Sequence, residues 1–404
     1  MSVAAPAIPH DGDAIARRNA LLLAFAGALG GANASVVFAT GSLIGRALGS
    51  DPEYATVPIT AFVVGTALAT YPAAAMARRF GRRNVFMAGN VAGAWAGILG
   101  ALSLYLASFE LYCFATFLAG VYQAVIVSYR FAAADSATPR FRATAIAWVL
   151  GGGLAAAFIG PQLVIFTKEI TLPYLFLATY LAQAAVAIAA MFVTGRFIDT
   201  PAHHDADGPA RPLRQIAMMP RFIIAVLCGT AAQGLMNMVM TSAPLAMAMC
   251  GHSVTDSTLG IQWHIVGMYG PSFFTGGLIA RYGKERIVIL GLILLAACAV
   301  VNLSGLTVGY FWVGLTMLGL GWNFAFIGAS AIVTDCHRAS ERNRVQGLND
   351  TLIFSTTAVG SYLSGHLLAV FGWASINYVV IPIALVCAVA AAGLLFAPRR
   401  PLRA

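Results

Sequence analysis

Charged residues are scarce in this chain. Asp, Glu, Lys and Arg make up 10% of its 404 residues, whereas hydrophobic residues make up 59% and the mean hydropathy is +0.81. This balance excludes an ordinary soluble domain, in which about a quarter of the residues are charged. A helix needs roughly 20 mostly apolar residues to cross the hydrocarbon core of a bilayer, and the chain supplies such runs repeatedly. The composition therefore predicts an all-α integral membrane protein.

Acidic residues are scarcer still, and their positions exclude further classes. The sequence has 15 of them, and all are predicted in loops or at helix ends, with none at mid-membrane. The apolar runs contain no nucleophile with a base, no carboxylate pair and no cluster of metal ligands, so we expect neither an enzyme nor a cofactor. His203 and His204 in HHDADGPARP are interpreted as solvated residues rather than metal ligands.

The cysteines lack the spacing of a disulfide framework or a metal site. They are scattered along the chain, so we expect no structural disulfide. The six are Cys113, Cys228, Cys250, Cys298, Cys336 and Cys387.

Apolar runs separated by short polar segments predict twelve transmembrane helices. The first run follows a short polar tail and is too long for a signal-peptide core, so it is interpreted as a retained helix. The runs are Asn19–Leu43, Val57–Ala77, Val85–Leu106, Phe109–Tyr129, Ala143–Phe166, Pro173–Thr194, Phe222–Met247, Thr258–Ala280, Ile287–Leu303, Tyr310–Val333, Thr351–Val370 and Ile376–Ala397.

Lysine and arginine concentrate on one side of this arrangement. Of the 24 such residues, only Arg46 and Lys168 fall on the other side. Because short cytoplasmic loops accumulate basic residues, the bias predicts a multi-pass protein of the cytoplasmic (inner) membrane with both termini in the cytoplasm. The same orientation explains the net charge of +9 without a nucleic-acid partner.

A polar linker divides the runs into two sets of six. It covers residues 196–220 and contains the proline, glycine and small polar residues that are typical of a flexible connection. The predicted organisation is a tail (1–18), a first six-helix bundle (19–195), the linker, a second bundle (221–397) and a second tail (398–404).

Residues about 200 positions apart match between the two sets, which indicates an internal repeat. Several matches at nearly one offset predict a duplicated six-helix unit with pseudo-symmetry. The matches are Gly81 with Gly283, Gly30 and Asn33 with Gly234 and Asn237, Tyr122, Gln123 and Asp135 with Trp322, Asn323 and Asp335, and Arg142 with Arg344.

The sequence resembles the major facilitator superfamily of secondary transporters over essentially its whole length. That family carries G-x-x-x-D-R-x-G-R-R between its second and third helices, with a degenerate copy between the eighth and ninth. RRFGRR, residues 78–83, and ARYGKER, residues 280–286, stand at these places. Ala74 and Arg78 replace the glycine and the acid of the first copy, and Ala280 replaces the acid of the second. The missing acids put the usual latch in doubt, with Asp135 and Asp335 as alternative partners for the arginines.

The resemblance implies that the basic turns take part in gating. A simpler alternative is that they only orient the protein in the membrane. The predicted gating residues are Arg79, Gly81, Arg82, Arg83, Asp135, Arg142, Arg281, Gly283, Asp335 and Arg344.

Polar and aromatic residues deep within the runs are the candidate substrate-binding residues, because unpaired polar groups are costly in hydrocarbon. In folds of this kind the solute binds between the halves near the bilayer midplane. The alternative is that the amides bond between helices and the rings fill packing space. The candidates are Asn33, Tyr122, Gln123, Gln233, Asn237, Trp263, His264, Trp322 and Asn323.

An uncharged lining of amides and rings favours a neutral, ring-bearing solute. We therefore expect a monomeric secondary transporter that moves a small organic molecule across the lipid bilayer by alternating access, with uptake of a nutrient or vitamin such as riboflavin as one candidate. Drug or metabolite efflux by proton antiport is the alternative, and a non-transporting sensor or assembly factor is the second. Gly160 and Pro161 partly resemble the glycine–proline element that antiporters of the family place in helix five, but a kink-forming proline explains them without indicating a transport direction. A coupling proton stays open, with His264 and His366 as intramembrane groups that titrate near neutral pH.

Overall fold

Helices form almost the entire described chain, which confirms the predicted all-α fold. The computed structural model describes residues 11–138, 141–199 and 211–396. The α-helices are α1 (Asp11–Leu48), α2 (Val57–Phe80), α3 (Arg82–Leu106), α4 (Phe109–Asp135), α5 (Arg142–Thr167), α6 (Leu177–Thr194), α7 (Leu213–Ala217), α8 (Pro220–Met249), α9 (Val254–Tyr269), α10 (Ser272–Tyr282), α11 (Lys284–Ser304), α12 (Val308–Thr334) and α13 (Arg342–Phe396); Pro52–Thr56 and Ala339–Glu341 are 3₁₀ turns.

Ten helices among the described residues are long and apolar enough to cross a membrane. The predicted eighth run is broken into α9 and α10 at Gly270 and Pro271, and together these two helices make one further crossing. The predicted eleventh and twelfth runs join in α13, which is interrupted at Gly372 by a φ of 75°. Twelve passes therefore follow from this arrangement.

The chain reverses direction at Gly372. The Trp373 ring lies 5.3 Å from that of Phe311 near the start of α12, whereas the Cys387 carbonyl accepts from Cys228 near the start of α8. Because α12 and α8 begin at opposite ends of the bundle, the segment after Gly372 runs back across it.

The two halves repeat the same order of helix neighbours. α1 packs on α5, α2 on α4, and α3 on α6; correspondingly, α8 packs on α13, α9 on α12, and α11 on α13. Glycines at matching places in the two halves allow the backbones of neighbouring helices to pack very close together. A Cβ at Gly120 of α4 would lie 2.0 Å from the Phe62 carbonyl oxygen of α2, and one at Gly319 of α12 would lie 2.2 Å from that of His264 in α9. These contacts give the repeat a structural basis, while the domain boundaries stay predictions.

Several predicted boundaries differ from the observed helix ends. α1 begins at Asp11, so residues 11–18 of the predicted tail are helical. α13 begins at Arg342 rather than Thr351, so Asp350 lies within a helix, about 12 Å from its start, and not in a loop as expected. Residues 1–10 and 397–404 lie outside the described residues.

The flanks of the predicted linker pack against the bundles. The Asn19 side chain donates to the Ile198 carbonyl at 2.9 Å and accepts from its N–H at 3.2 Å. Arg211 donates to both carboxylate oxygens of Glu341 at 2.7 Å. This ion pair fixes the far flank beside the Ala339–Glu341 turn. Residues 200–210, with His203 and His204, lie outside the described residues.

Candidate functional site

Two sharp turns occupy matching places at one end of the bundle, and both require glycine. Gly81 ends α2 with φ 84° and ψ 156°, and Gly283 ends α10 with φ 91° and ψ 153°. Residues with a side chain rarely adopt this backbone region. We call this end, with the Ala339–Glu341 turn, the basic face, and the end that holds Pro52–Thr56 the opposite face.

An ion pair ties the first turn to α4. The Arg82 guanidinium donates to the Asp135 carboxylate, so the pairing that the sequence left open is present. The backbone N–H of Arg82 also donates to the Asp199 carboxylate at 2.8 Å. The α2–α3 turn is thereby attached to the end of α4 and to the segment that follows α6.

The second turn has a larger charge network. Lys284, the counterpart of Arg82, pairs with Asp335 at 2.5 Å. Arg221 at the start of α8 joins Asp335 at 3.3 Å and Glu285 at 2.6 Å. Burial of the Glu285 carboxylate makes these contacts important, because an unpaired buried charge is costly.

The other predicted gating residues take smaller parts in these turns. The Arg79 guanidinium lies over the Phe80 ring and that of Arg281 over Tyr282. Arg83 contacts Asp199 through its backbone N–H at 3.4 Å, and Arg344 is exposed. The Arg142 side chain lies outside the described residues. The gating role of the set stays a prediction.

Trp322 and Gln233 are brought together between α12 and α8. The indole N–H donates to the Gln233 side-chain carbonyl at 2.7 Å. The Trp322 ring stacks on Phe326, with centroids 5.0 Å apart and planes at 13°. All three side chains are partly buried. An amide and a pair of flat rings therefore form a partly exposed group between α8 and α12.

Asn33 and Tyr122 lie inside the first half. The Asn33 amide donates to the Ala119 carbonyl at 3.0 Å and accepts from Gln183 at 2.6 Å. The Tyr122 hydroxyl donates to Asn90 at 2.8 Å. The cavity that they line measures about 10 Å³, enough for a single water molecule. Their contacts are those of interhelical bonding, the alternative noted from the sequence.

Asn323 holds the broken helix together. Its amide donates to the Met268 carbonyl at 2.6 Å and to Ser272 at 2.7 Å, and it accepts from Thr275 at 2.6 Å. These partners lie on both sides of the break between α9 and α10. The interrupted helix thus has a polar partner within the bundle on each side of its break.

Trp263 and His264 lie apart from Trp322. Trp263 is 42% exposed on the outside of α9. His264 is buried, and its Nδ1 lies 2.9 Å from the Leu315 carbonyl oxygen of α12.

Some deep polar atoms have no hydrogen-bond partner within the described part of the chain. They include the Gln123 side-chain carbonyl, the Asn237 amide nitrogen, the Thr230 hydroxyl and Nε of Arg130. Gln123 and Arg130 are seven residues apart on α4 and thus share a face of that helix. Thr230 and Asn237 have the same spacing on α8, with Gln233 between them. Such groups are available to a polar ligand.

Arg130, Asp350 and Tyr269 form a group that the sequence did not predict. Arg130 belongs to the first half and interacts electrostatically with Asp350 of α13 and Tyr269 of α9, both in the second half. The prediction assigned Arg130 and Asp350 to loops because their helices were ended too early. Extending α4 to Asp135 and starting α13 at Arg342 would have placed them correctly.

Side-chain contacts join the halves near the opposite face. Thr60 donates to the Ser361 hydroxyl at 3.2 Å, and Thr56 donates to the Ser361 carbonyl at 3.2 Å. His366 lies 3.0 Å from the Glu53 carboxylate. Deeper in the seam, Gln162 of α5 donates to Gln262 of α9 at 2.9 Å. The seam between the halves is therefore closed at this end.

Comparisons with known proteins agree across the chain. A family profile described as Major Facilitator Superfamily matches residues 22–301 and 265–404. The riboflavin transporter RfnT of Brucella anthropi is 47% identical over 374 residues, covering 91% of this chain and 93% of that transporter. The uncharacterized MFS-type transporters YddS and YdeG of Bacillus subtilis are each 28% identical, over 89% of this chain and 87% and 88% of their own lengths.

Proposed function

Because the chain belongs to the Major Facilitator Superfamily and is thus a secondary transporter rather than an enzyme, we propose that it imports riboflavin across the cytoplasmic membrane. The observation that carries this proposal is the 47% identity to a riboflavin transporter over 91% of the chain. Similarity of this extent includes both halves, and hence the seam in which a solute binds in such folds.

The chemistry beside α8 supports a flat, neutral solute. Riboflavin carries a planar three-ring system with hydrogen-bond donors and acceptors along one edge. The stacked rings of Trp322 and Phe326 offer an aromatic surface, and Gln233 offers an amide beside it. The unpartnered Gln123 carbonyl and Asn237 amide supply an acceptor and a donor.

The basic face lies in the cytoplasm in this proposal, and both chain termini lie on the same side. The bias of lysine and arginine toward this face supports the orientation. Closure of the seam at the opposite face then separates the solute site from the outside. A single chain supplies both halves, so the transporter acts as a monomer.

The turns at Gly81 and Gly283 form the inner gate. Arg82 with Asp135, and Lys284 with Asp335, hold helix ends together at the basic face. Alternating access requires those helix ends to shift against their neighbours, so the ion pairs must rearrange in each cycle.

The test is uptake of radiolabelled riboflavin by proteoliposomes, with and without an imposed pH gradient. We expect uptake that requires the protein and that unlabelled riboflavin competes away, whereas an unlabelled neutral sugar does not. Faster uptake with an inward proton gradient identifies proton coupling. Binding without flux would support a sensor instead. Protein-dependent loss of riboflavin from loaded vesicles, driven only by the antiport gradient, would support efflux.

A further inference from the structure

A groove runs along the outer surface of the helix bundle between α1 and α6, near the basic face. Its volume is about 410 Å³, and its lining consists of Arg18, Leu21, Leu22, Phe25, Val193 and Arg196. Leu21 and Phe25 are 57% and 59% exposed. In a membrane protein, such side chains face acyl chains, so the groove opens toward lipid.

Two arginines stand side by side at the polar end of this groove. The Arg18 guanidinium donates to the Arg196 carbonyl at 3.2 Å, and that of Arg196 donates to the Phe192 carbonyl at 2.8 Å. Both side chains are exposed, and neither makes an ion pair with a carboxylate among residues 11–138, 141–199 and 211–396. Each guanidinium has five N–H donors, so several remain for another partner.

We propose that this groove binds an anionic phospholipid of the leaflet at the basic face. Arg18 and Arg196 hold the phosphate, and one acyl chain lies along Leu21 and Phe25. Basic pockets between transmembrane helices on the cytoplasmic side are suited to anionic headgroups. The guanidinium geometry favours phosphate oxygens, which it contacts through paired N–H groups. A soluble anion would leave the exposed apolar wall without an occupant, whereas a phospholipid satisfies both parts of the groove.

The groove is rigid where the phosphate binds. The two hydrogen bonds between Asn19 and Ile198 fix the segment that carries Arg196 against α1. The Asn19 side chain is fully buried, so this attachment is shielded from water. The same segment continues to Asp199, which accepts from the Arg82 N–H in the α2–α3 turn. The lipid thus binds to a preformed site that adjoins this turn.

Native mass spectrometry of the detergent-purified full chain tests the proposal, with phosphatidylglycerol as the probe. We expect phosphatidylglycerol to bind the wild-type protein more tightly than phosphatidylcholine. The R18Q/R196Q variant should bind it roughly 30-fold more weakly, since each basic residue near an anionic headgroup contributes roughly fivefold. R18K/R196K keeps both charges and should retain most of the binding.

The matched control is R214Q/R286Q, which removes the same charge from two exposed arginines elsewhere. It should bind phosphatidylglycerol like the wild type. Equal losses in the two glutamine variants would overturn the site, as would unchanged binding in R18Q/R196Q. Displacement of phosphatidylglycerol by millimolar inorganic phosphate would assign the arginines to a free anion instead. Thermal unfolding of each variant confirms that it is folded, and none of these readouts depends on which solute is transported.

Discussion

At the scale of single residues, Trp322 combines two interactions that suit a flat solute. Its indole N–H is held by Gln233, so the ring orientation is fixed before any ligand arrives. Phe326 supports the ring from one face. A ring that is already ordered loses little conformational freedom when it contacts a ligand, which favours binding.

Removing this ring should weaken riboflavin binding. In W322A the stack is lost and Gln233 is left without its donor, and the two effects together are worth about 2 kcal/mol, or roughly a thirtyfold rise in KM. W322F keeps a ring and should show a smaller rise. Initial uptake rates over a range of riboflavin concentrations give both values.

The matched control for this change is W95A, because Trp95 is 53% exposed on α3. It should leave KM unchanged. A normal KM in well-expressed W322A would remove Trp322 from the binding site.

Gly81 and Gly283 have the same backbone conformation, but their surroundings differ. A Cβ at Gly81 would lie 2.7 Å from a carboxylate oxygen of Asp199, whereas one at Gly283 would come no closer than 3.6 Å to Glu285. Both alanine variants should carry about 1–3 kcal/mol of backbone strain. G81A should in addition displace Asp199, and should therefore lower the transport rate more than G283A.

Uptake rates normalised to the amount of protein in the membrane test this difference. G277A is the control, since nothing lies within 4 Å of its new Cβ in α10. Wild-type turnover in G81A would show that the turn has no gating role.

The residues also show how far the sequence could predict the site. It identified Trp322 and Asn323 as deep polar positions, but neighbours on a helix point about 100° apart. One contacts α8 and the other holds the break between α9 and α10. Without knowing which neighbour lies on each side of α12, no pattern in the sequence could separate these roles.

At the scale of helices and turns, the anchor between Arg211 and Glu341 stabilises the approach to α8. The hydrogen bonds from Arg211 lower the pKa of Glu341 to about 2, from an ordinary value of 4.5. A carboxyl group with a lowered pKa stabilises the fold above its ordinary pKa. The contribution is lost as the pH falls from about 4.5 toward 2.

E341Q should therefore lower the apparent Tm of the purified protein by a few degrees at pH 7. The difference from the wild type should stay constant down to pH 5, because the carboxylate is ionised in both folded and unfolded states. It should shrink below about pH 4.5, where the unfolded state takes up the proton. A difference that grows on acidification would contradict this account.

The pair of Arg82 and Asp135 permits a test by charge exchange. R82D and D135R each place like charges together at the end of α4, so each should reduce riboflavin uptake severalfold. R82D/D135R restores an opposite pair and should recover part of the activity. Failure of the double variant to exceed both single variants would indicate that the residues do not act as a pair.

The other turn provides the comparison. K284D/D335K should recover less activity, because Asp335 also pairs with Arg221. The D335K change would place a lysine beside Arg221, so two positive charges would meet there.

Helix ends show a second limit of sequence-based prediction. Hydropathy located the apolar runs, yet α13 extends about 14 Å beyond the predicted start toward the basic face, and Asp350 lies in that extension. Polar residues reduce the hydropathy of a helix that projects past the hydrocarbon core, although its backbone bonds continue. Hydropathy also failed to show the break at Gly270 and Pro271, because the segments on both sides of it are apolar.

At the scale of the whole molecule, the sequence showed the internal repeat, but it did not show which end of the seam between the halves is closed. Matching glycines and acids about 200 positions apart define two equivalent units. The contacts that close the opposite face are not matched in this way, because they join the α1–α2 turn and the start of α2 in one unit to α13 of the other. Which end closes depends on how the units are tilted, and that is a property of their assembly.

A disulfide across the closed face should stop transport. Thr60 and Ser361 belong to different halves, and their hydroxyl oxygens lie 3.2 Å apart, so cysteines there need an approach of about 1 Å to form a bond. In a C250S background, which removes the exposed native cysteine, oxidised T60C/S361C should lose riboflavin uptake, and reduction should restore it. The single variants T60C and S361C should transport equally under both conditions. The outcome that would contradict this is a crosslinked protein, its disulfide verified by mass spectrometry, that transports riboflavin as fast as the same protein after reduction. The halves would then not need to separate at this face, and alternating access through this seam would be wrong.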